Sequence, residues 1–349
     1  MGADGFLERL GIRHPVVLAP MAGGPSTPEL AAAVSNAGGF GSLAGAYLAP
    51  DEITEAVRRT RALTDRPFSI NLFAGGGEER AVDPGPMLAI LSEIHKELGL
   101  PPPLAPTPRK DPFPDLFQAV LEARPAVFSF AFGIPDRQRI SSLRARGIAI
   151  LGTATTIDEG RLWVEAGADA IIAQGAEAGA HRGTFAVPFE DAMIPTMVLV
   201  RGIASFAPVI ASGGIMDGRD LAVALDNGAI AAQLGTAFLR CPESGASPPY
   251  KRAIELASSD TTVITRAYSG RPARGLLNTF IKTLSGREDT ILPYPLQNAL
   301  TRPMRLASAA QGNPKFLSLW AGQGVARSRE LPAGELVATL MKEASARLR

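Results

Sequence analysis

Residues 166–183 read AGADAIIAQGAEAGAHRG. Ala166 ends a run of helix formers, and Gly167 supplies the one residue type that turns left-handed cheaply at a helix end. Residues 170–174 form an unbroken apolar run closing on Gln174, and a loop of small residues then carries His181 and Arg182. A strand with no polar alternation is what a parallel sheet covered on both faces requires. The same order of helix end, glycine and strand recurs in AGGFGSL (37–43), RGIAIL (146–151) and NGAIAAQL (227–234).

Working outward, apolar runs occur at 16–20, 40–43, 68–73, 127–132, 149–153, 170–174, 209–212 and 231–238, separated by helix-like stretches. The first helix has a start signal: Thr27 as cap, Pro28 in the first turn and Glu29 at the positive dipole end. Alternating units in this number predict an α/β fold of the (β/α)8 TIM-barrel type. The competing open doubly wound sheet would place a GxGxxG fingerprint after the first strand. Here that strand runs into Ala19-Pro20-Met21.

The chain has 349 residues, and a barrel takes roughly 250. The surplus falls in two places. Residues 80–114 carry PGP, PPPLAPTP and DPFPD, predicting a proline-rich loop insertion around a short helix near 87–98. Residues 241–312 follow the eighth strand and predict a mostly helical cap over the barrel mouth. The barrel proper is expected over 1–240, and 313–349, with an amphipathic helix from Ala333, completes its wall.

Composition narrows the function classes. Lys+Arg number 35 against 34 Asp+Glu, which gives no electrostatic footprint for nucleic acid or an anionic membrane. No apolar stretch approaches the roughly 20 residues of a membrane span, and 1–15 has no signal-peptide core, so a cytoplasmic protein is expected. A single cysteine, Cys241, excludes an internal disulfide, and three histidines make a multi-histidine metal site an unpromising expectation.

A barrel places its site at the carboxyl ends of the strands. The residues there are Ala19, Pro20, Met21 and the glycines that follow; Asn71; Gln174, Glu177, Gly179, His181 and Arg182; Gly213 and Gly214; and Gln233, Leu234, Gly235 and Thr236. SGGI (212–215) and QLGT (233–236) fall at strands seven and eight, where barrels frequently hold phosphate on loop amides. The carboxamides of Asn71 and Gln174 suit a flat ring with mixed donor and acceptor edges, or are satisfied by neighbouring backbone. His181 directly follows strand six, where an imidazole can donate to a substrate oxygen or act as a base. His14 lies at the opposite end of the barrel and His95 in a predicted surface helix, so both are expected to be structural or solvated. Cys241 has nothing to activate it. Gly75-Gly76-Gly77 reads as a turn.

LAPMAGG (18–24), ELAAAVSNAGGFGSL (29–43), INLF (70–73), AQGAEAGAHRG (173–183), ASGGIMDGRDL (211–221), QLGTAFL (233–239) and WAGQG (320–324) together resemble the class I nitronate monooxygenases, formerly 2-nitropropane dioxygenases. The resemblance runs through nearly the whole chain. It implies a flavin mononucleotide (FMN) barrel. Gly213, Gly214, Gly235 and Thr236 would be on the phosphate, Asn71, Gln174 and Gly179 also on the cofactor, and Ala19–Met21 against the ring system. It implies a nitronate and O2 as reactants, an aldehyde or ketone plus nitrite as products, and His181 as the catalytic histidine. Where the family usually reads EAGGHRG, this chain has Ala180. Some members hold a carboxylated nitronate through tyrosines and a lysine in the cap; Tyr294 matches such a tyrosine, and Arg302 or Arg305 would stand in for the lysine. Two other readings share these motifs: an FMN-dependent NAD(P)H reductase of the enoyl-acyl carrier protein reductase type, and a non-catalytic flavin- or phosphate-binding barrel. Chemistry of the IMP dehydrogenase kind needs a cysteine after strand six, and Cys241 is elsewhere.

Overall fold

The structure is a computed structural model that describes residues 5–75, 82–106, 110–258 and 261–347. Eight parallel strands form the barrel wall: β1 (Val16–Leu18), β2 (Gly41–Ala44), β3 (Phe68–Phe73), β4 (Val127–Ala131), β5 (Ala149–Ala154), β6 (Ala170–Gln174), β8 (Val209–Ser212) and β9 (Ala231–Leu234). Each pairs with its neighbour in chain order, β9 pairs with β1, and a bridge between Val17 and Phe40 closes the ring. The TIM barrel expected from the apolar runs is therefore the fold. Strands seven and eight of the sequence reading are β8 and β9.

The wall helices are α2 (Pro28–Asn36), α3 (Pro50–Leu63), α5 (Phe113–Ala123), α6 (Arg137–Ala145), α7 (Ile157–Ala166), α8 (Thr196–Ala204), α9 (Gly218–Asp226) and α13 (Ala333–Arg347). Their starts follow the local signals. Thr27, Asp136, Thr156 and Asp217 each accept a backbone N–H of the first turn, and Gly167 ends α7 at φ +94°, which delivers the chain directly into β6. Apolar faces of these helices close on the outer faces of the strands, with Trp163 fully buried and its Nε1 donating to the Thr153 carbonyl at 3.0 Å. α13 packs against α2 and α9. A separate cluster of Val17, Leu151, Ile172 and Ile210 fills the barrel interior, and α1 (Gly5–Arg9) inserts Phe6 into it from the amino end. That end is sealed, so the open end is the carboxyl rim.

Over that rim lie α4 (Gly85–Glu97), α10 (Pro248–Glu255), α11 (Thr279–Thr283) and α12 (Leu296–Ala310). α4 and α12 share one apolar cluster with Leu91, Met304 and Phe316. The cap also holds strands, which the sequence reading did not anticipate. β10 (Thr262–Thr265) and β11 (Ala273–Leu276) form an antiparallel ribbon, and the two-residue β7 (Ala180–His181) joins its edge, His181 opposite Ala273. The β-branched run TVIT was the available signal.

His95 departs from expectation. It is buried on α4, 3% exposed, not on a surface helix; its Nδ1 donates to the Pro101 carbonyl at 2.7 Å, tying down the segment after the helix.

Candidate active site

The carboxyl ends of the strands open into a cavity of about 2060 Å³. Ala19, Pro20, Met21, Asn71, Gln174, Gly179, His181, Gly213, Gly214, Gln233, Leu234, Gly235, Thr236 and Tyr294 all line it. Residues far apart in sequence meet there because each ends a neighbouring strand of the ring or sits in the cap above. His14, His95 and Cys241 do not line it. Gly75 does, and Gly76 and Gly77 lie outside the described residues.

The loops after β6, β8 and β9 make the first part of the site. Gly213 has φ +129°, and a Cβ there would stand 2.8 Å from Thr196 Oγ1. A Cβ on Gly179 would stand 2.6 Å from the backbone of Ala321 and Gly322. The returning segment of 320–324 thus closes directly on the loop, with Gly322 N–H donating to Thr236 Oγ1 and Gln323 N–H to the Glu177 carbonyl. Among the described residues, no protein acceptor meets the backbone N–H groups of Gly179, Gly214, Gly235 and Thr236. Unclaimed amides on adjoining glycine loops are the donor set a phosphate needs. The residues present therefore fit the phosphate of FMN.

The carboxamides divide their bonds. Asn71 Nδ2 donates to Ser129 O and Oγ at 3.2 and 3.0 Å. Gln174 Nε2 donates to the His181 carbonyl at 2.9 Å, and its Oε1 accepts Gly183 N–H at 2.7 Å. Gln174 thus braces the His181 loop with one amide N–H and one oxygen lone pair, and keeps a second of each on the cavity it lines. Arg182 is buried beneath that loop at 1% exposure and donates to the carbonyls of Gly175, Gln174 and Ala192; it is a scaffold residue. Glu159, also fully buried, accepts from Thr155 N and Oγ1 and from Phe185 N and Ala186 N, fixing the chain beyond the histidine.

His181 is boxed by aromatic rings, with centroids of Trp320 at 5.5 Å, Phe132 at 5.8 Å, Phe73 at 6.3 Å and Tyr294 at 6.4 Å. Its Nε2 lies 2.8 Å from Ser269 Oγ. Burial, and after it the guanidiniums of Arg271 and Arg305, push its pKa down to about 3, so the ring is neutral at working pH. Arg271 stacks on Phe132 with its Cζ 3.8 Å from the centroid. Arg305 on α12 donates to Asn298 and lines the cavity, with no carboxylate partner among the described residues. Two backbone positions here are strained: Ala180 at φ +62° and Phe132 at φ +73°, conformations uncommon for residues with a Cβ and most unusual for a bulky one. Such strain concentrates at functional sites.

Ser269, Arg271, Phe132, Trp320 and Gly322 were not in the sequence-derived set. WAGQG marked the last two. The others come from the cap and from the end of β4, and only folding brings them to His181.

Fold and cavity define an α/β-barrel protein of the class that works at its carboxyl rim. A family model described as nitronate monooxygenase matches residues 6–343. The chain is 45% identical over 352 residues to the nitronate monooxygenase of Pseudomonas aeruginosa PAO1, covering 97% of this chain and 99% of that one. It is 41% identical to the nitronate monooxygenase of Paraburkholderia phytofirmans, covering 98% and 95%. Among solved structures it is similar to a nitroalkane oxidase from Streptomyces ansochromogenes, with TM-score 0.91, 41% identity and coverage of 99% and 98%. It is also similar to FabK from Thermotoga maritima, with TM-score 0.78, 30% identity and coverage of 100% and 98%. The chain belongs to the nitronate monooxygenase family, whose members are oxidoreductases. No described helix is long and apolar enough to cross a membrane.

Proposed function

We propose that this protein catalyses FMN-dependent oxidative denitrification of alkyl nitronates with O2, releasing an aldehyde or ketone and nitrite. The carrying observation is the neutral His181 beside two guanidiniums in a cavity whose glycine loops hold unclaimed amides. Bound FMN would supply one-electron chemistry with nitronate and O2, and the protein supplies position and electrostatics.

Gly213, Gly214, Gly235 and Thr236 hold the phosphate, with Gly179, Gln233 and Leu234 beside them. Asn71 and Gln174 lie at the cofactor's polar edges, and the backbone of Ala19–Met21 backs its ring system. His181 orients the nitronate oxygens. Arg271 and Arg305 disfavour an imidazolium, and the same positive field favours an anion in the cavity. This arrangement suits a substrate that arrives already ionised; taking the α-proton from a neutral nitroalkane would create a cation between two others. Tyr294, whose hydroxyl burial keeps protonated, and Arg305 bind a polar group at the far end of the nitronate.

The test is anaerobic mixing of the yellow holoenzyme with an alkyl nitronate and, separately, with NADPH. Flavin bleaching by the nitronate, with nitrite once oxygen is admitted, supports the reading. Bleaching by NADPH and silence toward nitronates refutes it in favour of a nicotinamide-dependent reductase.

A further inference from the structure

Side chains alternate along β4. Val127, Ser129 and Ala131 face inward: Val127 joins the cluster inside the barrel, Ser129 Oγ accepts from Asn71 and Ala131 lines the cavity. Phe128 and Phe130 face outward, where they stack on Phe117 of α5 and Trp163 of α7. One more step of the same period sends residue 132 outward as well. Phe132 does not follow it. Its φ is +73°, and its ring lies in the cavity mouth beside His181 and Tyr294, 5% exposed.

A bulky side chain at positive φ is a true outlier, and it persists only where the surroundings enforce it. Here two glycines do so. Gly133 follows at φ +156°, and a Cβ on Gly75 would stand 2.1 Å from the Phe132 carbonyl, so the exits of β3 and β4 interlock at the kink. Glycine at 132 would adopt the same backbone without strain. What the strained residue adds is the place of its ring, and that place is beside His181. The ring stacks on Phe73 with centroids 4.2 Å apart, carries the Arg271 guanidinium carbon 3.8 Å from its centroid, and meets the imidazole at 5.8 Å and an interplanar angle of 83°. The last is an edge-to-face contact, so no atom fits between Phe132 and His181. A ligand held by the imidazole lies alongside the ring, and a substituent on that side meets a fixed apolar wall.

We propose that Phe132 is a specificity-determining residue, a wall that favours nitronates with one carbon substituent on the reacting carbon over those with two. The inference rests on the nitronate reading for its substrate and adds the size of the group that the substrate can carry.

The experiment measures kcat/KM for the nitronates of nitroethane and 2-nitropropane with the FMN-loaded wild type, Phe132→Ala and Phe132→Leu. Wild type should favour the smaller nitronate. Phe132→Ala should move the ratio about 10-fold towards the larger one, the discrimination that one methyl group meets at an apolar wall. Phe132→Leu should lie between and serves if the alanine variant does not fold. Phe132→Gly tests the kink: it should melt no lower than Phe132→Ala, whereas at an unstrained position glycine is the less stable of the two. The wild-type ratio retained in the variants overturns the proposal, as does a glycine variant that melts below the alanine one. The same discrimination is read without turnover from the dissociation constants of propanoate and isobutyrate, followed by flavin absorbance, because their carboxylate carbon takes the place of the nitronate nitrogen. In a protein that turns over no nitronate, a shift of that binding ratio in the variants overturns the functional reading and leaves Phe132 as the wall; an unchanged ratio, or no binding of either anion, overturns this inference too.

Discussion

His181→Gln should make the protein less sensitive to acid. In the folded state the ring stays neutral down to about pH 3, whereas in the unfolded chain a histidine binds its proton below about pH 6.5. Above pH 7 neither state is protonated and the residue contributes no pH dependence. As pH falls from about 6.5 towards 3, the unfolded state gains a proton the folded state refuses, and stability drops by about 1.4 kcal/mol per pH unit. Between pH 7.5 and pH 5.0 this amounts to about 2 kcal/mol, and because the cavity side of the ring keeps some water that figure is a ceiling. For a chain of this size about 2 kcal/mol corresponds to about 3 °C in Tm. Glutamine cannot titrate, so the variant should lose that much less on acidification. Thermal or urea midpoints of both proteins at the two pH values measure it, and the other titrating groups cancel in the difference. Equal losses in wild type and variant would refute the claim that burial and the two guanidiniums hold His181 neutral.

Three further outcomes follow from particular contacts. Gly213→Ala forces a Cβ into φ +129° and to 2.8 Å from Thr196 Oγ1, and strain of about 1–3 kcal/mol should weaken FMN about 5- to 150-fold, read by fluorescence titration of the apoprotein. Glu159→Ala removes the acceptor for Thr155, Phe185 and Ala186 and leaves buried donors unpaired; a loss of about 3–5 kcal/mol, or about 4–7 °C in Tm, should be seen by calorimetry. Cys241 is fully buried and burial pushes its thiol up to about 12, so the folded protein should stay unmodified by iodoacetamide at pH 8 and react once unfolded, as followed by intact mass.

How far the site was legible depended on where its residues sit in the chain. Gly213, Gly235 and Gln174 could be placed because each directly ends an apolar run, and parallel strands in a barrel bring such ends to one rim. His181 was found by the same rule. Its identity as a strand residue was not, because β7 exists only through pairing with β11, whose residues lie some ninety positions later and leave no local period. His95 was misplaced because helix periodicity says which face is apolar and not what the cap will cover.

The sequence by itself determined the barrel, the rim on which its strand-end residues gather, and the glycine loops, since all three follow from short-range rules of strand, cap and turn repeated along the chain. Tertiary structure alone decided the electrostatics of the site. Ser269, Arg271 and Arg305 meet His181 across contacts that no periodicity encodes, and a histidine that would titrate near neutrality in an open chain becomes, by burial and two facing charges, a group that does not.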